Sequence, residues 1–217
     1  MAQGSVRVIL PIRRIGNVYL MVVMSDVTTK DRITAAATYL LTEHGAAGVS
    51  MRKVAAAVGI TPMAIYQYFP DRETLLNAIA DAAFVELVRR WESAERPSQA
   101  DELLREMLID HVDFALEHPR LYDYMFTERR DQARKFPADF RARKSPTLNL
   151  VADAITAGVD QELFRADTDI WETSLMFAAL LHGLIQLHHG DRIGMPEQAF
   201  RALCLRLGER MINELRT

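Results

Sequence analysis

The residues best suited to acid–base or metal chemistry are a late cluster, His182, His188, His189 and Asp191, from a total of six histidines. The spacing around them completes no catalytic set: there is no His-Glu-x-x-His pair, no nucleophile elbow and no glycine-rich phosphate loop. His182 reads as a packed helix residue. The run His188-His189-Gly190-Asp191 reads as a polar helix end, where imidazole suits the negative pole of the dipole. A single cysteine, Cys204, excludes an intramolecular disulfide and a cysteine zinc cluster, and it falls among apolar helix positions as an inert thiol. A metal-dependent hydrolase using His182, His188 and His189 is the enzymatic alternative; the expectation is no catalytic residue, no metal and no cofactor.

A different stretch carries the chemistry of recognition. From Gly59 to Phe69 the chain places Thr61, Met63, Tyr66, Gln67 and Tyr68 around one short segment, with Arg52, Lys53 and Arg72 close by in sequence. Hydroxyls, an amide and cations so spaced meet phosphates and base edges. Gly59 supplies the permissive backbone that ends one helix, Thr61 caps the next, and Pro62 takes the first helical position, where its missing N–H costs nothing. Pro70 discourages helical geometry at Phe69, so about two turns are possible. A helix that short is unstable alone and must lean on neighbours through Ile65 and Phe69.

Two helices are placed to hold it. Ile33, Ala36, Ala37, Leu40, Leu41 and His44 recur at three- and four-residue steps, with Thr28 or Thr29 as cap and Gly45 as terminator. After Ala46-Ala47-Gly48-Val49, Ser50 caps a second helix from Met51 to Val58 whose inner face is Val54, Ala55 and Val58. Helix, glycine-containing turn and short second helix is the helix-turn-helix pattern, with an ordinary helical corner as the bland alternative. Arg52 and Lys53 oppose the dipole at the start of their helix, and a nearby phosphate removes that penalty.

The segment Ser50 to Leu76, SMRKVAAAVGITPMAIYQYFPDRETLL, resembles the DNA-binding motif of the TetR/AcrR family of bacterial transcription regulators. The resemblance implies that Thr61, Pro62, Met63, Ala64 and Gln67 face bases or groove walls, that Tyr66, Tyr68 and Arg72 hold phosphates, and that Ser50, Arg52 and Lys53 are outer contacts. Lys53 departs from the acidic residue common at its position, and Arg72 stands where lysine is commoner. No Arg or Lys lies between Thr61 and Phe69 to make a bidentate guanine contact, so specificity is expected to lean on thymine methyls and DNA shape.

Composition fits this division. At 217 residues, with 49% hydrophobic and 25% charged residues, the chain is ordinary globular material, which excludes disorder as the default. The net charge of -3 looks wrong for a nucleic-acid binder until it is split. Residues 1–80 hold 8 Lys+Arg against 5 Asp+Glu, whereas residues 81–217 hold 18 against 24, so the positive balance lies with the short helix. Residues 1–25 read as an extension, with Arg13-Arg14 ahead of an apolar run but no small-x-small cleavage site after it. We expect it to be poorly ordered, an upstream over-reading of a start at Met21 or Met24; a basic arm is the alternative.

The expected architecture is all-α: a three-helix helix-turn-helix domain over 26–74 and a larger helical effector-binding and dimerisation domain over 75–217. Leu75 to Trp91 continues as one long helix, and Asp101 to His118 repeats its pattern. The segment Pro119 to Phe126 is dense in aromatics, more often core than ligand cage. Residues 128–145 are a charged, solvated stretch. The helix from Asp167 to His189 is apolar nearly all round and needs cover on every side. With the last helix, Pro196 to Leu215, it suits a two-fold four-helix interface using Leu180, Leu184, Leu187, Phe200, Leu203, Leu207 and Met211. Leu181-His182-Gly183-Leu184 resembles the WHG type of C-terminal domain, although Ala178 stands where a tryptophan is usual. From the apolar faces and this resemblance, a small, largely apolar effector is expected near His111, Phe114, Tyr122, Met125, Phe126, Phe177 and Leu181. The function expected is a cytoplasmic, homodimeric repressor of a near-palindromic operator on double-stranded DNA, released by that effector, with no membrane partner. The alternative keeps the DNA-binding half and makes the second only a dimerisation or protein-interaction module.

Overall fold

In the computed structural model, which describes residues 28–92, 96–130 and 133–216, every regular element is a helix, in agreement with the all-α expectation. The extension over 1–25, with its basic arm, lies outside the described residues. The chain divides into two compact units after Ile79.

The first unit contains α1 (Thr29–His44), α2 (Met51–Val58), α3 (Pro62–Ile65) and the start of α4 (Arg72–Trp91). Local chemistry sets each boundary. The Thr28 hydroxyl accepts from Asp31 N–H while the Asp31 carboxylate accepts from Thr28 N–H, a reciprocal cap on α1. Ser50 accepts from Lys53 N–H at 3.3 Å to open α2, and Gly59, at φ 77°, closes it in the left-handed region. Thr61 accepts from Ala64 N–H at 3.2 Å with Pro62 in the first turn of α3. Only one α-helical turn forms where about two were expected. Beyond Ile65 the bonds are mixed, Gln67 N–H to Ala64 and Tyr68 N–H to Ile65 at i−3 and Phe69 N–H to Ile65 at i−4, and Pro70 ends the run. The core beneath is Ile33, Leu41, Val54, Ile65 and Phe69, all at most 2% exposed, so the two residues expected to seat the short helix do so.

The second unit packs α5 (Ala100–Glu117) against α8 (Pro146–Asp160) and α10 (Glu197–Glu214), with α9 (Ile170–His189) against α8 and α10. Close approach depends on two glycines. A Cβ on Gly208 would sit 1.8 Å from Leu108 Cδ1, and one on Gly158 would sit 2.1 Å from Phe164 Cδ2. Paired hydrogen bonds from Arg105 to Glu209 and from Arg201 to Asp113 tie α5 to α10 at the rim. The short α6 (Pro119–Phe126) carries buried Tyr122, while the charged stretch that follows includes a single helical turn, α7 (Ala138–Arg141).

By length and composition α9 is the one helix among the described residues apolar enough to cross a membrane. Thr173, Ser174, Phe177, Leu181 and Ile185 turn inward, whereas Met176 and Leu187 remain 47% and 41% exposed. One stripe of α9 is therefore covered by its own unit and another is not. Leu180, Leu184, Leu203, Leu207 and Met211 are half-buried along α9 and α10. Phe200 departs from the expected interface set: it is fully enclosed by its own unit, stacked on the His188 ring at 4.0 Å, and has no surface to offer a partner.

Candidate nucleic-acid interface and apolar cavity

The outer side of α3 and its tail is formed by side chains that the core rejects. Met63 is 77% exposed, Tyr66 49% and Tyr68 38%, and Thr61, Pro62 and Gln67 are exposed as well. Ala64 is half-buried at the edge. An exposed methionine this large adds nothing to folding, so it is surface available for a partner. Ser50 is occupied by its cap, and Arg52 and Lys53 are exposed on the first turn of α2.

The cations do more structural work than the sequence indicated. Arg72 donates from Nε to the Val49 carbonyl at 2.8 Å and from a terminal nitrogen to the Ala46 carbonyl at 2.5 Å, clamping the start of α4 onto the loop between α1 and α2. Arg32, which sequence reasoning passed over, donates to the Val58 carbonyl at 2.8 Å and locks α1 to the end of α2. Lys53 reaches the Gly48 carbonyl at 3.3 Å, and Lys30 lies over the Phe69 ring at 5.6 Å. At the other side of the clamp, Asp71 accepts from Thr74 N–H at 2.7 Å, and that bond holds its carboxyl below the usual range. Arg72 thus has an established job inside the protein; its remaining N–H groups are what it has to give a phosphate.

The second unit contains a partly open cavity of about 50 Å³. Of the seven residues expected near an effector, His111, Phe126, Phe177 and Leu181 line it and Phe114, Tyr122 and Met125 do not. Trp91, Met107, Thr147, Val151 and His182 complete much of the wall and were not among those expected. None of the lining residues is Asp, Glu, Lys or Arg.

Behind the wall Tyr122 joins two of the lining histidines. Its hydroxyl meets His111 Nε2 at 3.0 Å and also His182 Nδ1. A phenol has one proton, so it donates to one ring, which must be neutral to accept it, and accepts N–H from the other. Burial pushes His111 down to about 3, helped by repulsion from His182, and burial pushes His182 down to about 4. Burial also raises the Tyr122 phenol well above its ordinary value, so it keeps its proton.

The other histidines turn to separate neighbours. His189 Nδ1 meets Asp123 at 2.8 Å, His188 stacks on Phe200, and Asp191 is exposed past the helix end. The set required by the hydrolase alternative is not assembled, and among the described residues no group of three His, Cys, Asp or Glu is placed to hold a metal.

Comparison with known proteins gives two family matches. Residues 33–79 match the family described as bacterial regulatory proteins, tetR family, and residues 104–211 match the tetracyclin repressor-like C-terminal domain. No curated protein sequence matches the chain. Among solved structures, a protein of unknown function from Rhodococcus sp. RHA1 is similar at TM-score 0.73 and 22% identity, over 88% of this chain and 97% of that one. The TetR-family transcriptional regulator PfmR from Thermus thermophilus is similar at TM-score 0.62 and 22% identity, over 86% and 100%. A TetR variant from Acinetobacter baumannii AYE in complex with minocycline is similar at TM-score 0.60 and 16% identity, over 88% and 99%. Matched in both its helix-turn-helix and its larger helical domain, the chain belongs to the TetR family of bacterial regulatory proteins and is a DNA-binding transcriptional regulator.

Proposed function

We propose that this regulator is a homodimeric repressor which a small, largely apolar effector releases from a near-palindromic operator. The observation that carries the reading is the cavity: it is walled mainly by apolar side chains, with His111, Thr147 and His182 among them and no Asp, Glu, Lys or Arg, and one of its walls is Trp91, the last residue of the helix that begins at Arg72. A cavity of about 50 Å³ holds a few waters. Small-ligand sites run to roughly 300–1,000 Å³. An effector therefore enters by moving the wall, and displacement of Trp91 is displacement of α4. Binding that favours the shifted α4 lowers the population of the DNA-competent state, and a coupling of about 1–3 kcal/mol, roughly 5–150-fold in operator affinity, is the ordinary size of such an effect. The minocycline complex of the Acinetobacter protein is a precedent in a relative of the same fold.

On the DNA side, the contacting residues in this reading are Thr61, Pro62, Met63, Ala64 and Gln67 in the major groove, with Ser50, Arg52, Lys53, Tyr66, Tyr68 and the spare donors of Arg72 on phosphates. The uncovered stripe of Met176, Leu180, Leu184 and Leu187, with Leu203, Leu207 and Met211, supports a two-fold contact between copies. The second domain is read as the WHG type on Leu181-His182-Gly183-Leu184. The test is a compound screen on the protein–operator complex: release by an apolar compound, abolished by Phe177→Ala, supports the reading, and a full response in both Phe177→Ala and Tyr122→Ala argues against this pocket.

A further inference from the structure

The loop that leads from α6 into α8 inverts the charge of the unit that carries it. Residues 133–144 hold 5 Lys+Arg against one acidic residue, Asp139, whereas the remainder of residues 81–217 holds 13 Lys+Arg against 23 Asp+Glu. Every one of these twelve positions except Asp139 and Phe140 is exposed. A run of like charge is ordinarily a loose, solvated stretch. This one is folded on itself. The Asp139 carboxylate accepts from the Lys135 backbone N–H at 2.9 Å and from Lys144 Nζ at 3.0 Å, bonds that hold its carboxyl below the usual range. Arg134 Nε donates to the Lys144 carbonyl at 3.2 Å, and Arg143 pairs with Asp153 on α8 at 2.8 Å.

The one carboxylate of the loop is thus used internally, and the cations left over are held in place. The side chains of Lys135 and Arg141 make no hydrogen bond or ion pair among the described residues, and the terminal nitrogens of Arg134 are equally unspent. Phe136, next to Lys135, is 37% exposed, with its ring 5.7 Å from that of Phe140. An exposed aromatic ring beside arginine is the composition that interface centres favour. Charge complementarity selects the partner. A duplex or a charged membrane extends well beyond one loop, and would bring its own negative surface against the acidic surroundings within a Debye length of about 8 Å. A short acidic segment meets the loop alone.

We propose that residues 133–144 form a docking surface for an acidic segment of a partner protein, whose carboxylates pair with Lys135, Arg141 and the spare donors of Arg134 while an apolar side chain covers Phe136. None of these residues lines the cavity or belongs to the DNA-reading set. The surface is therefore a separate function of the second unit, independent of effector release.

The test uses the full chain and a fluorescein-labelled peptide of four Glu-Glu-Leu repeats, read by polarisation at low salt, with Gln-Gln-Leu and Glu-Glu-Ser repeats as controls. Saturable binding is expected for the first, weaker by about tenfold without the charges and by about threefold without the leucines. Lys135→Glu combined with Arg141→Glu is expected to weaken the acidic peptide about tenfold, as two surface pairs are reversed, and Phe136→Ala about threefold. Lys135→Arg with Arg141→Lys keeps both charges and is expected to hold affinity within about twofold. All three side chains are exposed, so the fold tolerates these changes. No saturable binding of the acidic peptide, equal binding of the Gln-Gln-Leu peptide, or undiminished affinity after charge reversal overturns the proposal. A non-operator duplex or phosphatidylserine vesicles losing more affinity than the peptide on charge reversal also overturns it, and gives the loop to nucleic acid or to a membrane.

Discussion

Arg72→Ala separates a structural role from a DNA contact at a single residue. The guanidinium makes two charge-assisted hydrogen bonds, to carbonyls 23 and 26 positions earlier in the chain. Bonds to a charged group contribute about 1.5–3 kcal/mol each when well shielded. One of these is part-buried and the other exposed, so solvent reduces the sum, and we expect a loss of about 2 kcal/mol for the first unit. At roughly 4–8 °C per kcal/mol for a small domain, its unfolding midpoint falls by about 10 °C. Lysine has one ammonium in place of a fork, so Arg72→Lys recovers about half of the loss. The assay is hydrogen exchange of the α2 amides alongside thermal unfolding, followed by operator affinity against salt well below the midpoint. Folded Arg72→Ala is also expected to lose up to about one phosphate contact from the salt dependence, the share of its spare donors, on top of the stability loss. An unchanged midpoint together with a salt slope reduced by about 1 would refute the clamp and make Arg72 a phosphate ligand first.

Other outcomes follow from single contacts. Gly158→Ala drives a Cβ into the Phe164 ring, itself 1% exposed, and Gly208→Ala drives one into Leu108; each is expected to destabilise the second unit by about 1–3 kcal/mol in urea unfolding, Gly158 more because a ring yields less than a leucine tip. Gly59→Ala meets no neighbour and suffers only the left-handed backbone, so about 1 kcal/mol is expected from the same measurement on the first unit. His111 and His182 titrate lower in the folded state than in the unfolded chain. The unfolded state therefore takes up protons first, and the second unit loses stability as pH falls from about 6.5 toward about 4. Urea midpoints between pH 7.5 and 5 should fall, and a flat profile over that range would contradict neutral burial of the pair.

Local chemistry explains which features were legible in the sequence. Thr28, Ser50, Gly59, Thr61 and Pro62 act within three or four residues of themselves, so the boundaries of α1, α2 and the start of α3 could be read directly from caps and breakers. The apolar seats Ile65 and Phe69 were equally plain. Non-local features were not. The carbonyls that hold Arg72 belong to a loop more than twenty residues away, and nothing in the type or spacing of arginine announces an acceptor that distant. The same limit applies to the cavity. Helical periodicity shows that Phe114 and Phe126 face inward, but the rotation of α5 and α6 against their neighbours decides that Phe126 meets the open space and Phe114 packs into solid core. Trp91 had a signal that went unused: an indole at the end of a helix. Phe200 misled because an apolar stripe on α10 contains both the residues facing its own core and those facing outward.

The central claim is that the exposed face of Thr61 to Tyr68 reads DNA. It is tested most directly by selecting genomic fragments with the purified protein at moderate salt, in parallel with Tyr66→Ala. The account predicts enrichment of fragments sharing a near-palindromic site, with half-sites spaced by whole turns of the duplex, and loss of that enrichment in the variant. Recovery of no sequence above bulk DNA, or the same sequence by Tyr66→Ala at undiminished yield, would contradict it.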